Sequence, residues 1–104
     1  MAKEIRLTEL LALLEAGPKI IDIRKKELFV DPLPGAVNIP YLDLVKAPQN
    51  YLNFTETYYL ICQDGGLSHY IGLSLQGKGY EVIHVCDGYE GRAPYRPCPH
   101  RKNN

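Results

Sequence analysis

Cys62 is the residue of this sequence whose surroundings point most directly to chemistry. It follows a run of high β propensity, residues 57–61, and precedes a loop with two adjacent glycines. A cysteine thiolate is a nucleophile, and the backbone N–H groups of a tight loop that opens a helix stabilise its charge. The spacing therefore predicts a nucleophilic cysteine in an anion-binding loop. That loop consists of Gln63, Asp64, Gly65, Gly66, Leu67 and Ser68.

A structural role for Cys62 is the alternative on these residues alone. A small buried cysteine that ends a strand before an ordinary Gly-Gly turn needs no chemistry. In an open parallel sheet, however, ligands bind outside the carboxyl ends of the strands, and Cys62 lies at such an end. Ser68 is expected to cap the following helix or to offer its hydroxyl to the sulfur.

The elements that must position this loop alternate between strand and helix. Leucines spaced by three and four residues predict a helix over residues 7–16, which ends at Gly17. Further helical segments are predicted around residues 42–45 and from Ser68 onward. Strands are predicted over residues 19–23, 36–39, 57–61 and 81–85. The alternation favours an α/β fold with three layers and a mainly parallel central sheet of about five short strands.

Composition excludes several classes of protein. The chain has 104 residues with 12 Lys or Arg and 12 Asp or Glu, so its net charge is zero and a general nucleic-acid binder is disfavoured. Its apolar stretches fall short of the roughly 20 residues that span a bilayer. Its three cysteines form no Cys-x-x-Cys pair, and an odd count leaves a free thiol. We therefore expect a soluble, cytoplasmic monomer that binds neither nucleic acid nor membrane.

The length fits one domain, which we place at residues 1–90. The remaining residues, 91–104, contain three prolines and four basic side chains and no acidic one. This segment is predicted to be an extended basic tail, ordered only where it packs back on the domain.

Four segments in order resemble the rhodanese-like domain family, over roughly residues 7–88. Residues 21–24 are similar to the family's Asp-x-Arg strand end, and residues 34–40 to its Pro-Gly-Ala-x-Asn-Ile-Pro segment. Residues 59–62, followed by Gly65 and Ser68, resemble its active-site strand and loop, and residues 79–82 the start of its last core strand. The resemblance implies a sulfurtransferase. Cys62 would accept sulfane sulfur as a persulfide from a small donor or a protein persulfide and pass it to a thiol or cyanide, without cofactor or metal.

The loop departs from the family's pattern at two positions. Leu67 stands where many thiosulfate-using members carry an arginine, and Asp64 adds negative charge beside an anion site. We expect poor use of thiosulfate, unless Arg92 or Arg96 of the tail folds back to supply a cation. Leu67 also supports the alternative of a weakly active or inactive binding module. A phosphatase is disfavoured because Ser68 stands where the phosphate-clamping arginine would be.

The remaining reactive residues have plainer interpretations. Asp22 and Arg24 are secondary candidates that we expect to organise the strand end through local hydrogen bonds rather than to contact substrate. Cys86 is predicted to be a small buried hydrophobic residue, and Cys98 an exposed thiol. A redox function is a further hypothesis, and it requires a Cys62–Cys98 disulfide.

Cys98 and His100 are close enough in the sequence to share a metal ion, but two ligands are too few for a site without partners. No metal site is therefore predicted.

Overall fold

A five-stranded sheet forms the centre of the computed structural model, which describes residues 3–92 and Cys98. Neighbouring strands pair in parallel, in the order β1-β5-β4-β2-β3. The strands are β1 (Glu4–Ile5), β2 (Lys19–Asp22), β3 (Val37–Asn38), β4 (Thr57–Ile61) and β5 (Glu81–Val85).

Helices cover both faces of this sheet. The α-helices are α1 (Leu7–Leu11), α2 (Tyr41–Lys46) and α3 (Gly66–Gly77). Four 3₁₀ helices span Leu14–Ala16, Lys26–Leu28, Pro48–Asn50 and Gly88–Arg92 within the described residues. The 3₁₀ helix Gly88–Arg92 contains the predicted boundary between the domain and its tail.

Adjacent residues of the central strands face opposite cores, as expected for strands that are buried on both sides. Ile21 and Leu60 belong to a core with residues of α2 and α3. Ile20 and Ile61 belong to a second core, with Leu7 of α1. The two cores confirm the predicted three-layer α/β fold.

The structure differs from the sequence prediction at the helix starts and at one sheet edge. β1 was not predicted as a separate strand, because two residues carry too little periodicity. The first predicted helix is divided into α1 and the 3₁₀ helix Leu14–Ala16, although it does end at Gly17, whose φ is 70°. α3 begins at Gly66 rather than at Ser68, since Gly65 already adopts the left-handed conformation that precedes the first turn.

None of the helices in the described part of the chain is long and apolar enough to cross a membrane.

Candidate active site

The sulfur of Cys62 lies at the carboxyl end of β4, against the first turn of α3. The residue is only 3% exposed. Its Sγ accepts hydrogen bonds from the backbone N–H groups of Gly65, at 3.3 Å, and Ser68, at 3.4 Å. Both donors belong to the start of α3, where the helix dipole also favours negative charge. Two amides of the predicted loop thus converge on the sulfur.

Two glycines allow the loops that follow β4 and β5 to pack backbone against backbone. A Cβ at Gly65 would lie 2.0 Å from the carbonyl oxygen of Cys86, and a Cβ at Gly88 would lie 2.4 Å from that of Cys62. The carbonyl of Cys62 accepts the N–H of Tyr89 at 3.0 Å. This contact binds the chain after Cys62 to the 3₁₀ helix Gly88–Arg92 and fixes the loop that faces the sulfur.

The polar side chains of the loop stabilise its backbone. Asp64 Oδ1 accepts the N–H of Gly66 at 2.9 Å. The buried Ser68 hydroxyl donates to the carbonyl of Gly65 at 3.3 Å. Ser68 therefore contacts the sulfur through its N–H, whereas the sequence predicted a role for its hydroxyl, either at the sulfur or as a helix cap.

A cavity of about 250 Å³ opens beside Cys62. Gln63, Asp64 and Leu67 of the predicted loop line it, together with Arg24. Three further lining residues were not predicted as site residues: Lys25, Leu28 and Tyr41. Lys25 follows the carboxyl end of β2, the neighbour of β4, so the rule that ligands bind at carboxyl strand ends could have found it.

A buried ion pair forms one wall of this region. Asp22 is fully buried and accepts hydrogen bonds from the Arg24 side chain, the shortest at 2.8 Å, and from the Tyr89 hydroxyl at 2.9 Å. The Tyr89 hydroxyl in turn accepts the N–H of Leu33 at 3.1 Å. The Arg24 guanidinium lies 4.1 Å from the centre of the Tyr89 ring. Asp22 and Arg24 thus make the local hydrogen bonds that the sequence analysis favoured, while Arg24 also lines the cavity.

Charge and burial shift the acidity of two of these groups. Burial would lower the pKa of Arg24, but hydrogen bonds and the charge of Asp22 outweigh it and raise that pKa above its ordinary value. Burial raises the pKa of Tyr89 to about 12, and the Asp22 carboxylate adds to the effect. Arg24 is a permanent cation whose charge is offset by Asp22.

Arg92 takes a position outside the lining of the cavity. Its guanidinium donates to the carbonyl of Asp31 at 2.9 Å and lies 4.9 Å from the centre of the Tyr89 ring. Arg96, the other tail residue considered as a cation donor, lies outside the described residues.

The cysteine assignments are corrected at two positions. Cys98 is 5% exposed rather than on the surface, and it forms a disulfide with Cys86. Cys86 is buried, as predicted, but bonded rather than a simple core thiol. The pairing also contradicts the Cys62–Cys98 disulfide of the redox hypothesis, because Cys62 is free. Sequence spacing could not reveal that Cys98 lies beside Cys86, the residue that follows β5.

A parallel sheet with a cysteine between β4 and the N-terminus of α3 is the arrangement of a known class of domain. The family model of the rhodanese-like domain matches residues 6–91, and the chain belongs to this family. No curated protein matches the sequence.

Solved structures agree with the family assignment. A rhodanese homologue from Thermus thermophilus is 30% identical with a TM-score of 0.67, over 85% of this chain and 98% of that one. The human single-domain sulfurtransferase TSTD1 is 23% identical with a TM-score of 0.74, over 88% and 96% of the two chains. Bacillus anthracis CoADR-RHD is 26% identical with a TM-score of 0.76, over 86% of this chain, which spans only 16% of that longer one.

Proposed function

We propose that the protein is a sulfurtransferase that carries sulfane sulfur as a persulfide on Cys62. The observation that carries the proposal is the position of the Cys62 sulfur, which accepts N–H groups from Gly65 and Ser68 at the start of α3. These donors are fixed before the reaction, so they stabilise negative charge on sulfur without reorganisation. The family assignment supports the same chemistry.

The transfer takes place in two displacement steps at sulfur. First, the Cys62 thiolate attacks the outer sulfur of a donor persulfide, RSSH. The bond between the two donor sulfurs breaks, RS⁻ leaves, and Cys62 becomes a persulfide. Next, an acceptor thiolate attacks the outer sulfur of that persulfide, and Cys62 leaves as a thiolate. In each step the attacking thiolate gives one electron pair to the new S–S bond and the departing thiolate keeps the pair of the broken bond, so no metal or redox cofactor is consumed.

The cavity favours a donor that carries little negative charge near its sulfur. Leu28, Tyr41 and Leu67 contribute apolar side chains to the lining. The charge of Arg24 is offset by Asp22 in a 2.8 Å ion pair. Lys25 is the remaining cation of the lining, and Asp64 contributes a carboxylate. A small or protein-bound persulfide suits these walls better than doubly charged thiosulfate does, and a thiol is the matching acceptor. We keep the expectation of a cytoplasmic monomer.

Intact-mass spectrometry tests the proposal directly. The protein is incubated with a low-molecular-weight persulfide, with thiosulfate, or with neither, and the Cys62→Ser variant serves as the control. We expect the persulfide to add about 32 Da, one sulfur atom, to the wild type and nothing at position 62 of the variant. Cyanide or a thiol should remove the adduct. Absence of an adduct with every sulfane donor would refute the proposal.

A binding module with little catalysis is the second candidate, and Leu67 is the observation that favours it. Leu67 lines the cavity, and by resemblance to the family it stands where many thiosulfate-using members carry an arginine. This candidate predicts that Cys62 forms no adduct that can be discharged, while the cavity still binds a ligand. The same mass experiment therefore separates the two functions.

A further inference from the structure

Three potential metal ligands that do not line the Cys62 cavity meet where β1 lies beside the end of β5. One ligand atom from each of Glu4, Cys86 and Cys98 lies within 4.8 Å of the other two. Cys86 is 1% and Cys98 is 5% exposed, and the Glu4 side chain is 19% exposed. The three donors are thus largely shielded from solvent, and the cavity beside Cys62 is lined by other residues.

The parallel pairing of the two strands brings these residues together. Glu4 lies opposite His84 in the register of β1 and β5. The N–H of Cys86 donates to the carbonyl of Ile5 at 2.9 Å, which fixes Cys86 immediately beyond the paired residues. The disulfide brings Cys98 to the same place, with 4.9 Å between the two Cα atoms. The cluster therefore joins three parts of the chain that are far apart in the sequence.

We propose that Cys86, Cys98 and Glu4 form a binding site for a thiophilic divalent cation such as Zn²⁺, which is occupied when the two cysteines are reduced. Two thiolates and a carboxylate suit Zn²⁺, whereas Mg²⁺ and Ca²⁺ prefer oxygen ligands alone. Three protein ligands leave one tetrahedral position for water or another donor. In the sequence, Cys98 and His100 were too few ligands for a metal site. The fold places two further ligands, Cys86 and Glu4, beside Cys98.

His84 is placed to orient the carboxylate of this site. Its Nε2 lies 3.7 Å from Glu4 Oε1, and its Nδ1 lies 3.1 Å from the carbonyl oxygen of Lys3. A group that contacts a metal ligand from the outside commonly fixes the orientation of that ligand. His84 would therefore act on the metal through Glu4.

The disulfide and the metal site are alternative states of the same two sulfurs. A phosphine reductant supplies two electrons and becomes a phosphine oxide by taking the oxygen of one water molecule, the S–S bond breaks, and the two protons of that water complete the thiols. Binding of Zn²⁺ then displaces those two thiol protons, because the ligands are thiolates. A small-molecule disulfide RSSR can accept two electrons from the thiolates, which re-forms the Cys86–Cys98 bond, releases two RS⁻ and frees the cation.

Native mass spectrometry and zinc titration against a chromogenic chelator test the proposal. The proteins are reduced with a phosphine, freed of metal and reductant under argon, and mixed with Zn²⁺. We expect one Zn²⁺ per chain in the reduced wild type and none in the disulfide form. Loss of an outer-shell partner alone typically weakens a metal site about 10- to 100-fold, so we expect Cys86→Ser and Cys98→Ser each to weaken binding by about a hundredfold or more, and Glu4→Gln by at least about tenfold. The exposed-carboxylate variant Glu56→Gln is the matched control for Glu4→Gln and should bind like the wild type.

The Cys62→Ser variant separates this site from the proposed function, since it should keep the zinc while losing the persulfide. Failure of the reduced wild type to bind Zn²⁺ would overturn the proposal. So would retention of zinc in both cysteine variants, or its loss in Cys62→Ser alone. Circular dichroism establishes whether the serine variants are folded. If they are not, the comparison of reduced with oxidised wild type, together with Glu4→Gln, still decides the outcome.

Discussion

Gly65 packs so closely against Cys86 that a Cβ atom at position 65 would lie 2.0 Å from the Cys86 carbonyl oxygen. Its φ of 90° also lies in the region that side chains with a Cβ rarely adopt. The backbone at the end of β5 thus leaves room only for glycine at position 65, immediately before α3. The N–H of Gly65 also donates to the sulfur of Cys62, the proposed nucleophile. The contact between Gly65 and Cys86 therefore fixes the position of this donor.

We predict that Gly65→Ala destabilises the protein by about 3 kcal/mol or more and suppresses persulfide formation on Cys62. The backbone of Cys86 cannot yield without disturbing β5, so the loop after β4 must move. Urea denaturation and the intact-mass assay measure the two effects. Gly77→Ala is the matched control, since a Cβ there meets nothing within 4 Å, and it should change stability by less than about 1 kcal/mol. Equal stability of the two variants would contradict this account of the loop.

The buried carboxylate of Asp22 leads to a second prediction. Asp22→Ala removes the partner of both Arg24 and the Tyr89 hydroxyl, and it leaves the 7% exposed arginine as an uncompensated charge. We expect a loss of about 3–5 kcal/mol in the free energy of unfolding. The exposed Lys19–Glu56 pair is the comparison, and Glu56→Gln should cost less than about 1 kcal/mol. A small effect of Asp22→Ala would show that the pair contributes little to stability.

Tyr89 provides a prediction about stability at high pH. Its pKa is about 12 in the folded protein, above the ordinary value near 10, because of burial and the Asp22 carboxylate. Between these values the unfolded chain loses the phenol proton while the folded chain keeps it. Stability is therefore fully present below pH 10 and falls as the pH approaches 12, by about 2 kcal/mol from this group.

Urea denaturation from pH 8 to 11.5 measures this effect in Tyr89→Phe and in the wild type. The variant is less stable at pH 8, because it lacks the hydrogen bonds to Asp22 and Leu33. Its stability should nevertheless fall less steeply with pH than that of the wild type. Tyr51→Phe, at a position that is 43% exposed, should keep the wild-type slope. Parallel curves for wild type and Tyr89→Phe would contradict the assigned pKa.

The sequence alone predicted what depends on local patterns. Alternation of apolar runs with turn residues located β2, β4 and β5, and the position of Cys62 after β4 indicated the loop. The resemblance of four segments to rhodanese-like domains then indicated the family. Adjacent glycines before a helix are also a local signal for an anion-binding loop, and of the six residues predicted for that loop, Gly65 and Ser68 donate their N–H groups to the sulfur.

Contacts between distant parts of the chain could not be predicted in this way. The Cys86–Cys98 disulfide joins residues 12 positions apart, and the spacing of cysteines alone does not determine their pairing. Tyr89 reaches Asp22 only because the 3₁₀ helix Gly88–Arg92 packs beside the carboxyl ends of the strands. Lys25 differs from these two cases, because it follows the carboxyl end of β2 beside β4, where the rule for ligand sites in parallel sheets places a binding residue.

Leu67 is the position at which we expect the choice of sulfur donor to be decided. We predict that Leu67→Arg improves the apparent affinity for thiosulfate about 10- to 100-fold, since one charge-assisted hydrogen bond contributes roughly 1.5–3 kcal/mol. Saturation of cyanide-dependent thiocyanate formation measures the change. Leu67→Gln, which is polar but uncharged, is the control and should give a much smaller gain. Lys25→Ala should weaken thiosulfate use more than Arg92→Ala, because Lys25 lines the cavity whereas Arg92 donates to the carbonyl of Asp31. An unchanged affinity in Leu67→Arg would mean that features other than the missing cation limit the use of thiosulfate.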